Sequence, residues 1–309
     1  MDAARPVKSA VLLIVFNRPD LTRVVFERIR EVKPKTLLIV ADGPREGVPG
    51  EADRCAKVRE IVADVDWDCK VLQNYSDVNL GCRDRVSSGI TWAFQNEPEV
   101  IVIEDDCVPS RSFFYYCDEL LEKYRDDPKV KIIGADCRHS IENYSYSYYF
   151  GRTPYIWAWA SWRRAWNEYD VEMKDWPEFN RQDKMTKMGW KSFVVNFYKR
   201  IWTRIYNMEI DTWDYQWVFA IVKNEGACIH PQVNLVKNIG FGQEATHTKV
   251  ESRLANREAV EIDFPLRHPP AVELSWDVDH HLQRLYQAWW PRIVNRVKGI
   301  FKCAFPSHE

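Results

Sequence analysis

The chain has no apolar run approaching the roughly 18 residues that a membrane-spanning helix needs, and residues 1–8 lack the apolar segment of a secretion signal. Those absences lead to the expectation of a protein that stays in the cytoplasm. The eight cysteines, Cys55, Cys69, Cys82, Cys107, Cys117, Cys137, Cys228 and Cys303, include no C-x-x-C pair. Their scatter argues against a zinc site or a disulfide framework and fits reduced, mostly buried thiols. A net charge of −2 over 309 residues gives no global pull toward nucleic acid. No repeat or low-complexity linker interrupts the chain. With 46% hydrophobic and 28% charged residues it is neither disordered nor a polytopic membrane protein. What it has in quantity is aromatic: 14 Trp and 14 Tyr, suited to a core or to the C–H faces of sugar rings.

The stretch Val100-Ile101-Val102-Ile103-Glu104-Asp105-Asp106-Cys107-Val108-Pro109 organises the rest. Four apolar residues, all of them β-branched, read as a short buried strand that runs straight into three carboxylates. Adjacent carboxylates repel, and a hard divalent cation, Mn²⁺ or Mg²⁺, is the commonest remedy at a strand end. A solvated acidic turn is the plainer alternative.

Around that stretch, strands alternate with helices. Residues 10–16 form an apolar strand, and Asp20 is placed to cap a helix carrying Leu21, Val24, Val25, Ile29 and Val32. A strand over 36–41 ends in Asp42-Gly43, and a helix from Glu51 presents Cys55, Val58, Ile61 and Val62. A short strand over 70–72 leads through Asn79-Leu80-Gly81 to a helix with Val86, Ile90, Ala93 and Phe94. After the acidic stretch come a helix with Phe113, Phe114, Cys117, Leu120, Leu121 and Tyr124, and a strand over 130–134. The alternation predicts an α/β domain with a mainly parallel sheet flanked by helices. Residues 1–135 are expected to form one lobe, residues 136–275 an aromatic-rich second lobe of the same globule, and residues 276–309 a C-terminal amphipathic basic helix.

The residues resemble a known family. A first strand ending in Phe16-Asn17-Arg18-Pro19, a second ending in Asp42-Gly43, Asn79-x-Gly81 before a helix, and Ile103-Glu104-Asp105-Asp106 with Phe113-Phe114 beyond it are similar to glycosyltransferases of the GT-A fold. Trp213-Asp214-x-x-Trp217, a glycine-bearing loop through Gly240 and Gly242, and Ala245-Thr246-His247-Thr248 extend the likeness to residues 11–248. The order of these motifs most resembles the N-acetylglucosaminyltransferases that begin complex N-glycans, and bacterial transferases of surface polysaccharides.

That resemblance implies a transfer from a nucleotide-diphosphate sugar, UDP-linked, to a saccharide or lipid-linked saccharide. Asp106 would bind Mn²⁺ or Mg²⁺, Asp105 would touch the ribose or a metal-bound water, and Glu104 would support both. Asp42, next to Gly43, would accept from the N3–H of uracil, with a helix-capping turn as its alternative. Arg18, beside Phe16 and Asn17 in the donor-binding loop, would contact phosphate, with a surface ion pair as its alternative. Asp214 would be the general base of an inverting transfer, its pKa raised by Trp213, Tyr215 and Trp217. Asp211 competes for that role. His247 would lie near the diphosphate, as a third metal ligand or as a hydrogen-bonded loop residue, and Gly240 and Gly242 would let that loop close. Among Trp157, Trp159 and Trp162, one could stack on an acceptor while at least two are core.

In residues 282–302, Leu285, Trp289, Ile293, Val297 and Ile300 recur near helical spacing beside Arg292, Arg296, Lys298 and Lys302. Such a helix either lies on an anionic membrane, giving a peripheral location at the inner face, or docks on the protein. Two other functional classes stay open. A sugar-nucleotide pyrophosphorylase should have glycines in its first loop, which Phe16-Asn17-Arg18-Pro19 lacks. A non-catalytic saccharide-binding scaffold should lose the acids, which this chain keeps.

Overall fold

The computed structural model describes residues 6–241 and 257–275. Strand β1 (Ala10–Val15), helix α1 (Pro19–Val32), β2 (Thr36–Ala41), α2 (Glu51–Ala63), β3 (Lys70–Tyr75), α3 (Gly81–Asn96) and β4 (Glu99–Glu104) follow in order. All three pairings among these strands are parallel, with Leu13 set against Ile39 on one side and Ile103 on the other. Such strands are covered on both faces, which is why β1, β2 and β4 are apolar runs and not alternating patterns. Leu13, Leu37, Ile39, Ile101 and Ile103 meet α1, α2 and the later helix α4 (Arg111–Lys123). The intervening Leu12, Ile14, Leu38, Val40, Val100 and Val102 meet α3 on the other face.

After β4 the chain forms β5 (Cys107–Pro109), α4, β6 (Val130–Gly134), β7 (Tyr148–Gly151), β8 (Trp159–Trp162) and α5 (Arg163–Trp166). Helices α6 (Trp176–Arg181), α7 (Lys184–Lys187), α8 (Ser192–Tyr206) and α9 (Asp214–Lys223), then β9 (Ala227–Pro231) and β10 (Val236–Asn238), complete the described elements. Among the described residues the main sheet has eight strands in the order β3-β2-β1-β4-β8-β6-β9-β7. Among its described strands only β7 and β8 run against the others. The sheet is thus mainly parallel and flanked by helices, as the strand–helix alternation predicts.

Three local details differ from the sequence pattern. The strand β8 lies between β4 and β6, although its sequence Trp-Ala-Ser-Trp shows no alternation. Trp159 enters the core beside α3, while Ala160 and Trp162 enter the opposite one, so aromatic bulk is needed on both faces. On α1, Val24 is exposed and Thr22 and Phe26 are buried in its place. Arg18, not Asp20, is the N-cap residue of α1, and Pro19 opens the helix, where its missing N–H costs nothing.

A third apolar cluster joins α6, α8 and α9 through Trp176, Phe179, Trp202 and Phe219. Among the described residues no helix is long and apolar enough to cross a membrane. Residues 282–302, which carry the expected amphipathic helix, and the 244–248 segment with His247 lie outside the described residues, as does Gly242.

Candidate functional site

Because β1 and β4 are parallel neighbours, with Ile14 opposite Glu104, the segments that follow them emerge together at the carboxyl edge of the sheet. Arg18 from the first meets the acidic turn of the second. Its Nη2 donates to Asp105 Oδ1, and its Nη1 donates to Asp106 Oδ2 at 3.0 Å. The pair is neither a surface bridge nor an isolated one, since Asp105 is only 2% exposed. Burial, then repulsion from Asp106 and Asp105, pushes the Glu104 carboxyl above its ordinary range. Burial also raises Asp105, against the pull of Arg18. One guanidinium therefore faces three crowded carboxyls.

The loop after β10 closes on the same turn. β10 pairs antiparallel with β5, Ile239 N–H donates to the Asp106 carbonyl at 2.8 Å, and Gly240 N–H donates to Asn238 Oδ1 at 2.9 Å. A Cβ at position 240 would overlap the Asp106 carboxylate. Gly240 is required there for close approach, not for a left-handed backbone.

Asp42, at the end of β2, is committed to its own chain. Its oxygens accept from the N–H of Gly43 (2.9 Å), Leu80 (3.0 Å) and Gly81 (3.2 Å), and from Asn79 Nδ2 (3.0 Å). It clamps the turn that opens α3, the capping alternative given above. Burial nevertheless lifts its pKa above the ordinary value. Gly43 packs face to face with the Val78 backbone, where a Cβ would collide. Asp211 holds the same helix end from the other side, accepting from Arg83 N–H at 3.0 Å and Cys82 N–H at 3.3 Å.

Asp214 is the first residue of α9, half-buried at the rim, while Trp213 and Trp217 sink into the core against Trp159. Thr212 Oγ1 donates to Asp214 Oδ1, and Tyr215 N–H donates to the same oxygen at 2.8 Å. Cys82 shows how the acids converge. Its thiol is pushed up by burial first, then by Glu104, Asp214, Asp211 and Asp42. Glu104 and Asp214, about a hundred residues apart in the chain, thus both act electrostatically on one side chain.

Asn17 and Phe16 sit on a second charged device that sequence reasoning missed. Glu51, fully buried at the start of α2, accepts from Asn17 Nδ2 at 2.7 Å and from Arg45 N–H at 2.7 Å, Nη2 at 2.5 Å and Nε at 3.0 Å. The Arg45 guanidinium stands 5.7 Å from the Phe16 ring. These donors hold the Glu51 carboxyl down at about 2. A lone Glu at a helix start gives no sequence signal of such burial, because acidic residues are ordinary there.

Among the described residues no group of three or more His, Cys, Asp and Glu is arranged to hold a metal ion. The donor set at the acidic turn still fits a hard cation. Asp105 Oδ2 is buried with no hydrogen-bond donor, Asp106 keeps part of its carboxylate accessible, and the ligands that the turn itself offers are oxygen.

No family model and no curated protein matches the chain. Among solved structures it is similar to the mannosyltransferase PcManGT from Pyrobaculum calidifontis, in complex with GDP-Man and Mn²⁺, at 14% identity and a TM-score of 0.36, over 55% of this chain and 50% of that one. It is also similar to apo mouse xyloside xylosyltransferase 1, at 12% identity and a TM-score of 0.31, over 52% of this chain and 69% of that one. A UDP-glucose pyrophosphorylase complexed with UDP-glucose matches at 12% identity and a TM-score of 0.28, over 48% of this chain and 64% of that one.

Proposed function

We propose that this protein is a metal-dependent glycosyltransferase of the GT-A kind, moving a sugar from a nucleotide-diphosphate donor, UDP-linked, to a saccharide or lipid-linked acceptor. The observation that carries this reading is the convergence of Glu104, Asp105 and Asp106 with Arg18 at the carboxyl edge of a mainly parallel sheet, where α/β proteins bind ligands. Asp106, with Asp105 beside it, would hold Mn²⁺ or Mg²⁺. When bound, that cation neutralises the charge that develops on a departing diphosphate.

The chain's own residues supply the rest. Arg18, whose fork already spans two carboxylates, is within reach of a phosphate brought to the same place. Asp42 would act beside the base chiefly as the anchor of the 79–81 turn, from which its oxygens already accept. Asp214, aimed by the Thr212 hydroxyl, takes the proton from the acceptor hydroxyl, and attack from the side opposite the leaving group inverts the anomeric centre. In this reading the protein works in the cytoplasm in surface-polysaccharide synthesis.

The test is calorimetric titration of a nucleotide panel with Mn²⁺ and with chelator, on wild type and Asp106→Ala. Manganese-dependent UDP binding that is lost in the variant supports the reading. Failure of every nucleotide to bind overturns it and favours the non-catalytic scaffold.

A further inference from the structure

The chain as a whole is close to neutral, with 43 Lys and Arg against 45 Asp and Glu, but its charge is unevenly placed. Residues 184–208 hold six Lys and Arg and no Asp or Glu. They form α7, the turn after it and α8. Val194, Val195, Phe197, Trp202 and Ile205 turn α8 into the third apolar cluster. Trp202 Nε1 also donates to the Tyr215 carbonyl at 2.9 Å, which braces α8 against the start of α9 beside Asp214. Asn196, Arg200 and Thr203 are left exposed, at the spacing of one helix face.

The acids that border the stretch are already engaged. Asp183 pairs with Lys199 at 2.8 Å, Glu209 with Arg204 at 3.0 Å, Asp175 with Lys223 at 2.7 Å, and Glu178 with Arg181. Lys184, Lys187, Lys191 and Arg200 are exposed, and none of them lies within salt-bridge distance of an acid among the described residues. At the far end of α8, Tyr206 and Met208 are 44% and 65% exposed. The surface runs the length of α8, about 22 Å at 1.5 Å per residue, with three lysines before it, Arg200 midway and two apolar side chains at its end.

We propose that this outer face of α7 and α8 is a docking surface for a membrane containing anionic phospholipid. Lysine and arginine stems carry their charges to the headgroups, while exposed Tyr206 and Met208 offer apolar surface to the acyl boundary. A soluble polyanion would use the cations and leave the apolar pair in water. The chain's own C-terminal segment has no counter-charge to bring, since residues 280–308 contain no Asp or Glu. Lipid binding stands on this face alone. Its consequence rests on the glycosyltransferase reading, which it deepens: the acceptor is lipid-linked and reaches Asp214, a few residues beyond Met208, at the membrane surface.

Sedimentation of the full chain with vesicles of phosphatidylcholine alone, and of equal parts phosphatidylcholine and phosphatidylglycerol, tests the proposal. Each Lys or Arg near an anionic surface is worth roughly a fivefold gain in binding, so Lys184→Gln, Lys187→Gln and Lys191→Gln combined should weaken binding to the anionic vesicles on the order of 100-fold. Binding should also fall as salt is raised. On wild type, acylation of Lys184, Lys187 and Lys191, read by mass spectrometry, should drop when anionic vesicles are added, a readout that needs no variant to fold. No binding to vesicles, equal binding to both kinds, a triple variant that binds like wild type, as residues 282–302 alone would give, or acylation unchanged by vesicles overturns the proposal. Binding to soluble polygalacturonate with none to vesicles also overturns it and names an acidic polysaccharide as the occupant. Nucleotide titration of the same sample reads the donor site separately, so failure of lipid binding and failure of the glycosyltransferase reading are told apart.

Discussion

Gly240 lies so close to Asp106 that any side chain at position 240 would overlap the Asp106 carboxylate. The consequence is local, because the backbone there is not left-handed and the contact is with one side chain. Gly240→Ala should fold with a melting temperature close to wild type. Its kcat/KM for sugar transfer should fall by on the order of 100-fold, the usual effect of displacing a positioned group by about 1 Å. Steady-state kinetics beside a thermal melt check both halves.

Arg18 is the counter-charge of Asp105 and Asp106, and its loss leaves buried carboxylates facing one another. Arg18→Met should lose about 3 kcal/mol of stability, the low end for breaking a buried pair because the Arg18 side chain is partly exposed. If the turn takes a divalent cation, Mn²⁺ should restore part of that loss and chelator should remove it again. Equal melting curves with Mn²⁺ and with chelator would count against the metal.

Glu51 makes stability depend on acid. Its folded carboxyl is held at about 2 against an ordinary 4.5, so its contribution is complete above about pH 4.5 and disappears as pH falls toward 2. Glu51→Gln should cost about 3 kcal/mol at neutral pH, because Arg45 and Asn17 lose a charged acceptor. The gap between wild type and variant in urea melts should shrink steadily between about pH 4.5 and pH 3.

Asp214 and Asp211 compete for the role of base, and their surroundings separate them. Asp211 caps α3, so Asp211→Asn should mainly lower stability, by about 1 kcal/mol. Asp214→Asn should lower kcat by about 10²–10⁴-fold with nucleotide affinity unchanged. If the two variants exchange these phenotypes, Asp211 is the base.

Asp42→Asn gives a result that needs no ligand. An amide offers one acceptor oxygen where the carboxylate offers two to the N–H groups of Gly43, Leu80, Gly81 and Asn79. Without nucleotide, the variant should lose about 1–3 kcal/mol, and hydrogen exchange should speed up at Leu80 and Gly81.

The sequence by itself determined the repeating strand–helix units and the acidic turn at the end of β4. Runs such as residues 11–15 and 100–103, short and rich in β-branched residues, read as buried strands, and helices at 3.6-residue spacing cover them. It did not show β8, because four residues with Trp on both faces carry no period, nor the burial of Glu51, because an acid at a helix start is usually solvated. The tertiary structure decided which acids meet. Asp42 and Asp211 are drawn onto one helix end by its exposed N–H groups, while Asp214 and Glu104 both push up the Cys82 thiol. It also set Arg138 and Arg257, 119 residues apart in the chain, on one buried carboxylate. Pairings over such separations follow from how sheet edges and loops pack, and local spacing in a sequence carries no record of them.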